Sequence, residues 1–134
     1  MIVVDTNVIG YLYLTSERSA QSERALQKDS GWVAPRLWRS EFRNMLALYL
    51  RKRLLTLADA LAILDEAETL MRDGECEVVS TQVLELAQAS EMSAYDCEFV
   101  ALAHDLGVPL VTVDGEIVRR FPGTAVSLDA FIGT

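Results

Sequence analysis

The feature that most constrains this chain is its opening run, Ile2-Val3-Val4, apolar at every position and stopped abruptly by Asp5, Thr6 and Asn7. A strand without polar alternation must be covered on both faces, as in a parallel sheet with helices on either side. Asp5, Thr6 and Asn7 compete with the backbone for hydrogen bonds and favour a turn or helix N-cap, and residues 8–14 supply the helix that such a cap opens. Ligands of open α/β sheets bind beyond the carboxyl ends of the strands, where Asp5 would stand. One acid in that place is more commonly a cap than a ligand. The question is whether other acids arrive beside it.

The rest of the chain repeats the pattern. Residues 17–28 read as a helix after Thr15 and Ser16, acid first and base last as the helix dipole prefers, and Asp29, Ser30 and Gly31 end it. A short strand at 32–34 and Pro35 lead into a helix over 37–53. On that helix Leu37, Met45 and Leu48 share an apolar stripe that Glu41 interrupts. Residues 56–72 form another amphipathic helix with Gly74 as its expected C-cap, and 76–80 a third strand. Helices at 81–90 and 93–106, the second closed by Gly107 before Pro109, precede a fourth strand at 110–113 that ends at Asp114 and Gly115. A helical turn at 116–121 and a candidate edge strand at 126–128 complete the chain. Strands alternating with helices, without linker or repeat, predict a three-layer α/β/α sandwich around a parallel sheet of four to five strands.

A chain of 134 residues is expected to form a single domain over 1–134, burying roughly two-thirds of the surface its unfolded form exposes. Neither a disulfide nor a structural metal is needed for that. Cys76 and Cys97 are far apart and read as small core residues in a reducing compartment. With no basic leader and no apolar run of spanning length, the expectation is a cytoplasmic protein without a membrane segment. The net charge is −8, from 12 basic and 20 acidic residues, which argues against binding nucleic acid by overall charge. A polyanionic substrate would have to be met by local charge or by metal.

Four acids occupy comparable places. Asp5 and Asp114 each end an apolar strand, and Glu41 and Asp96 lie in early turns of helices. Each has a plainer reading: Glu41 with its head in water at the edge of its stripe, Asp96 as the last member of a capping box begun by Ser93, Asp114 with Gly115 as a turn. One shared cause accounts for all four more simply than four coincidences. Crowded carboxylates repel and raise one another's pKa, a cost that a hard divalent cation removes. Mg²⁺ or Mn²⁺ prefers oxygen donors and keeps several waters, whereas zinc would call for His or Cys. His104, the single histidine, falls mid-helix and reads as an ordinary surface or half-buried residue. It cannot be both the acid and the base of a metal-free ribonuclease.

Four segments together resemble a known family: Met1-Ile-Val-Val-Asp5-Thr6-Asn7, Glu41 in its helix, Ser93-Ala-Tyr-Asp96-Cys-Glu-Phe-Val-Ala-Leu-Ala103, and Leu110-Val-Thr-Val-Asp114. The chain is similar over essentially its whole length to the PIN domains, and within them to the small VapC-type toxins of toxin–antitoxin pairs. The resemblance implies a PIN-like fold in which Asp5, Glu41, Asp96 and Asp114 hold one or two Mg²⁺ or Mn²⁺ ions for endonucleolytic cleavage of RNA. Thr6, Asn7, Ser93 and Thr112 would be the supporting hydrogen-bonding residues. It also implies a homodimer and a cognate antitoxin laid across the acidic groove, for which the net charge suggests a basic, Arg-presenting segment. Arg36, Arg39 and Arg43 recur on the helix of Glu41 as candidate contacts to RNA or antitoxin, or equally as a solvated face. Two positions depart from the family pattern: Cys97 stands where a small alanine is usual, and Gly115 loosens the expected geometry after Asp114.

Other α/β enzymes fit less well. A dehalogenase-type phosphoryl-transfer site needs a second Asp two residues after the first, where this chain has Asn7. A receiver domain needs an acid pair, an Asp at the end of the third strand where Ser80 stands, and a late lysine, yet the lysines are Lys28 and Lys52. No glycine-rich phosphate loop follows any strand. The remaining alternative is a PIN-like module that binds or scaffolds without catalysis, which a divalent-metal titration with RNA distinguishes.

Overall fold

The computed structural model describes residues 1–133. Five strands form one all-parallel sheet: β1 (Ile2–Val4), β2 (Trp32–Pro35), β3 (Glu75–Cys76), β4 (Leu110–Thr112) and β5 (Ala125–Ser127), in the order β3-β2-β1-β4-β5. The helices are α1 (Thr6–Tyr13), α2 (Ser19–Lys28), α3 (Leu37–Arg51), α4 (Leu57–Met71), α5 (Ser80–Ser90), α6 (Ala94–Leu106), α7 (Gly115–Arg120) and α8 (Leu128–Ile132). The expected α/β/α sandwich is therefore present. Because parallel crossovers are right-handed, the run from β1 to β3 places α1 to α4 on one face and the return from β3 to β4 places α5 and α6 on the other, in keeping with the packing of α1, α3 and α4 together and of α5 on α6.

Burial follows the apolar runs. Val3 and Val4 are wholly buried, as a central strand in a covered parallel sheet requires, and Leu110 and Val111 beside them are too. Trp38, Phe42 and Leu46 form the inner stripe of α3, the Trp38 and Phe42 rings 5.8 Å apart. On the opposite face α6 packs across β1, β2 and β4 and buries Phe99, Val100, Leu102 and Ala103. Cys97 occupies a small satellite cluster with Val83 and Ala101, its thiol 3.8 Å from the Ser90 hydroxyl and pushed up in pKa by burial. It is a core residue there, and an inert one.

Several boundaries differ from the sequence expectation. The third strand is only Glu75–Cys76, not 76–80, because it sits at the sheet edge with a single neighbour and the chain leaves it at once for α5. Gly74 is not a left-handed cap. It ends a 3₁₀ turn (Arg72–Gly74) pressed against β2, where a Cβ would stand 2.1 Å from the Trp32 carbonyl oxygen. α2 starts at Ser19, and α3 ends at Arg51, followed by Arg53 in the left-handed region at φ 58°. α8 was not anticipated: Ser127 ends β5 and also caps α8, accepting from the Ala130 N–H at 3.1 Å.

Candidate active site

The sheet order makes the site. β1 and β4 are neighbours, and the chain leaves β1 for β2 on one side and β4 for β5 on the other, so a crevice opens at their carboxyl ends. Asp5 stands at that end of β1 as the N-cap of α1, with φ −70° and ψ 153°, its Oδ1 accepting from the Thr6 N–H at 2.8 Å. Its Oδ2 accepts from the Thr112 hydroxyl at 2.7 Å. Thr112, the fully buried last residue of β4, also accepts from the Asp114 N–H at 3.0 Å, so one hydroxyl spaces Asp5 from Asp114. The Thr6 hydroxyl reaches across to α3 and donates to Glu41 Oε1 at 2.7 Å. Both threonines are buried, and each donates its hydroxyl proton to a carboxylate.

The capping readings prove partly right. Asp114 caps α7 through Oδ1, which accepts from Glu116 N–H at 2.9 Å and Ile117 N–H at 3.4 Å, so Gly115 does not loosen it. Gly115 takes an ordinary helical conformation, and the nearest atom to an added Cβ is the movable Arg119 guanidinium at 3.3 Å. At α6, Ser93 Oγ accepts from the Asp96 N–H at 3.1 Å, but the Asp96 carboxylate does not return to the Ser93 N–H. A reciprocal capping box occurs elsewhere, between Thr56 and Asp59. The backbone of Asp96 is capped, and its carboxylate is left for the crevice.

Asp5, Glu41, Asp96 and Asp114 line one open cleft of about 540 Å³, together with Thr6 and Asn7. Burial raises the pKa of Asp5 against the lowering effect of its bonds from Thr112 and Thr6, and the charges of Asp96 and Asp114 add to the rise. Glu41 is raised for the same first reason, opposed by the Thr6 hydroxyl and reinforced by Asp5, Asp96 and Glu98. Burial also raises Asp96, opposed by Ser93 and reinforced by Asp114 and Glu116. The four acids thus form one electrostatic unit. Among the described residues, however, no three His, Cys, Asp or Glu side chains close on one point as direct ligands. These two facts are compatible, because charge coupling reaches farther than ligation. Mg²⁺ keeps several waters and is held through one or two carboxylates, so an all-oxygen set without His or Cys fits a hydrated hard cation better than zinc.

The arginines lie elsewhere. The cleft side of α3 is Leu37, Ser40, Glu41, Asn44 and Met45, and none of Arg36, Arg39 and Arg43 lines it. Arg39 is committed to a structural fork: Nε and Nη2 meet Glu75 at 2.6 and 2.9 Å, Nη1 meets Glu68 at 2.6 Å, and Trp38 Nε1 donates to the same Glu75 at 3.0 Å. Arg36 pairs with Glu77 on the surface at 2.9 Å, and Arg43 is exposed. Ser40, Asn44 and Tyr95 went unnoticed in the sequence. For Asn44 a signal existed, since it follows Glu41 at the i+3 spacing of one helical face. His104 is exposed outside the cleft, 2.6 Å from the Thr124 hydroxyl.

Comparison with known proteins gives likenesses of three kinds, to a family model, to a relative in sequence and to solved structures. A family model described as "PIN domain" matches residues 2–122. Ribonuclease VapC3 of Pyrobaculum aerophilum is 32% identical over 125 residues, covering 90% of this chain and 95% of that protein. Among solved structures, PAE2754 from Pyrobaculum aerophilum superposes with a TM-score of 0.72 at 21% identity, covering 98% of this chain and 92% of its own. FitAB bound to an IR36 DNA fragment superposes with a TM-score of 0.74 at 16% identity, covering 96% and 95%. The two structural matches speak for the fold alone.

Proposed function

This chain belongs to the PIN domain family, and from that premise we propose that it is a divalent-metal-dependent endoribonuclease, the toxin of a toxin–antitoxin pair. The observation that carries the reading is the convergence of Asp5, Glu41, Asp96 and Asp114 on one cleft at the carboxyl ends of β1 and β4. The relative named a ribonuclease, at 32% identity over most of both chains, supports the substrate class. One or two Mg²⁺ or Mn²⁺ ions would be held by these four acids, directly or through water.

When bound, such an ion lowers the pKa of a coordinated water and offsets charge on a phosphodiester as it is displaced. The chain's own residues prepare the place. Thr112 and the Thr6 N–H fix both oxygens of Asp5, and the Thr6 hydroxyl fixes one oxygen of Glu41, so these carboxylates do not reorganise during the reaction. Asp114 is locked by its capping role, and Asp96 faces it from α6. The acids stay close without collapse because hydrogen bonds hold the first two, while a cation relieves the repulsion that remains. Asn7 and Ser40 add neutral polar groups at the rim, suited to phosphate or sugar oxygens.

A small antitoxin with a basic, Arg-presenting segment is the partner proposed for the acidic cleft, and a homodimer is the proposed assembly. The alternative, a PIN-like binding module without catalysis, draws on the absence of a directly closed three-ligand cluster among the described residues. One experiment separates the two. RNA cleavage should appear with Mg²⁺ or Mn²⁺, vanish in EDTA and return when the metal is restored; binding of RNA without cleavage at any metal concentration favours the module.

A further inference from the structure

The cleft has a wall that metal-assisted hydrolysis does not use. Tyr95 directly precedes Asp96 and lines the same cleft, yet it is 63% exposed, and its hydroxyl makes no hydrogen bond among the described residues. Across the cleft α3 presents Leu37 and Met45, both only partly buried. An aromatic ring left in water beside a half-buried carboxylate contributes nothing to the core, and an alanine would serve the first turn of α6 at least as well at that position. The chemistry of the cleft is therefore two-sided: acids where a phosphate would be processed, and an aromatic and aliphatic slot directly beside them. A nucleic-acid chain presents the same alternation, a charged link followed by a flat apolar base.

We propose that Tyr95 is the stacking platform for an unpaired base next to the bond that is cut, with Leu37 and Met45 as the opposing wall and Asn44 placed to hydrogen-bond the base edge. The inference rests on the ribonuclease reading of the same cleft. Stacking on an aromatic ring tolerates any base, whereas the amide of Asn44 discriminates among edges. Tyr95 thus sets affinity and position, and Asn44 sets preference. A base held in this slot must be unstacked from its neighbours, so the bond beside it lies in a loop or single strand.

The test uses the full chain with Mn²⁺ and a single-stranded RNA cut at one mapped bond, made intact and with the base removed on either side of that bond. Tyr95→Ala should raise KM, or the Kd measured with Ca²⁺ in place of Mn²⁺ so that the RNA binds without being cut, by about 5- to 100-fold, while Tyr95→Phe stays within about 3-fold of wild type. Removing the base on one side, and not the other, should weaken wild type by a similar factor and leave Tyr95→Ala almost unchanged. Additive losses from variant and abasic substrate overturn the slot, as does a Tyr95→Phe variant that loses as much as Tyr95→Ala. Thermal melting and the Mn²⁺-induced shift should be the same for Tyr95→Ala and wild type; a lowered melt would mean that the ring is structural and overturns the proposal. Wild type that cuts no RNA in Mn²⁺ sinks the ribonuclease reading and this inference with it, whereas wild type that cuts while Tyr95→Ala cuts equally well sinks the inference alone.

Discussion

At the scale of single residues, the decisive contrast is between a carboxylate that caps and one that ligates, and Asp96 is where the two separate. Its backbone N–H is capped by Ser93 while its carboxylate feels Asp114 and Glu116. Asp96→Asn keeps the shape and removes the charge. In EDTA at neutral pH the variant should be as stable as wild type or up to about 1 kcal/mol more stable, because a repulsion is relieved. Wild type should then gain more stability from Mn²⁺ than the variant does, in proportion to its tighter binding, and the variant should lose RNA cleavage. Paired thermal melts decide it: equal Mn²⁺ shifts with activity retained would make Asp96 a structural residue. Thr112 gives a second test at this scale. Thr112→Val keeps the volume but strips the Asp5 carboxylate of its donor and the Asp114 N–H of its acceptor, at a cost of about 1–3 kcal/mol, and should lower kcat more than it raises KM.

At the scale of elements, the sequence was most informative where a segment is central and least where it is at an edge. β1 and β4 have two neighbours and full cover, so continuous apolar runs were their only solution and the acids at their ends could be read in advance. β3 has one neighbour; Val78 and Val79 look like strand residues, but nothing pairs with them and the chain turns into α5. Gly74 looked like a cap because glycine most often marks a helix end, and its actual use, close approach to β2, depends on a backbone distant in sequence. Gly74→Ala should therefore cost about 3 kcal/mol or prevent folding, since the clash is with backbone. Gly10→Ala meets only the flexible end of Met45, at 2.3 Å, and gains helix propensity, so its stability should stay within about 1 kcal/mol of wild type. Arg39 misled for a related reason: helical spacing shows that a cation is on a helix, not that Glu75 and Glu68 wait beside it. The Arg39 guanidinium holds the Glu75 carboxyl below its usual range. That lowered pKa contributes stability above the unfolded-state value and loses it as pH falls through the folded value. Glu75→Gln should cost about 1–2 kcal/mol at pH 7, and in urea titrations the difference should shrink below about pH 4.

At the scale of the whole molecule, the difficulty for the proposed function is how a chain of net charge −8 would hold a polyanion. Six of its 12 basic residues fall on α3 or beside its two ends, at positions 36, 39, 43, 51, 52 and 53, but Arg36, Arg39 and Arg43 are outside the cleft and two of these are already paired. Long-range repulsion would therefore oppose RNA rather than steer it, and on the proposed function affinity would come from short-range contacts to the cleft and from the cation that the acids would hold. A protein that neutralises 6–10 phosphates shows a steep dependence of log K on log salt, close to one unit per phosphate contact. Here the slope for a non-cleavable RNA in Mn²⁺ should be shallow, on the order of 1–3, and binding in EDTA should be too weak to measure at moderate salt. Fluorescence anisotropy across a salt series in both conditions is the measurement. A steep slope that persists in EDTA would locate the RNA on the basic end of α3 instead, and would make the acidic cleft a feature that the RNA does not need for binding.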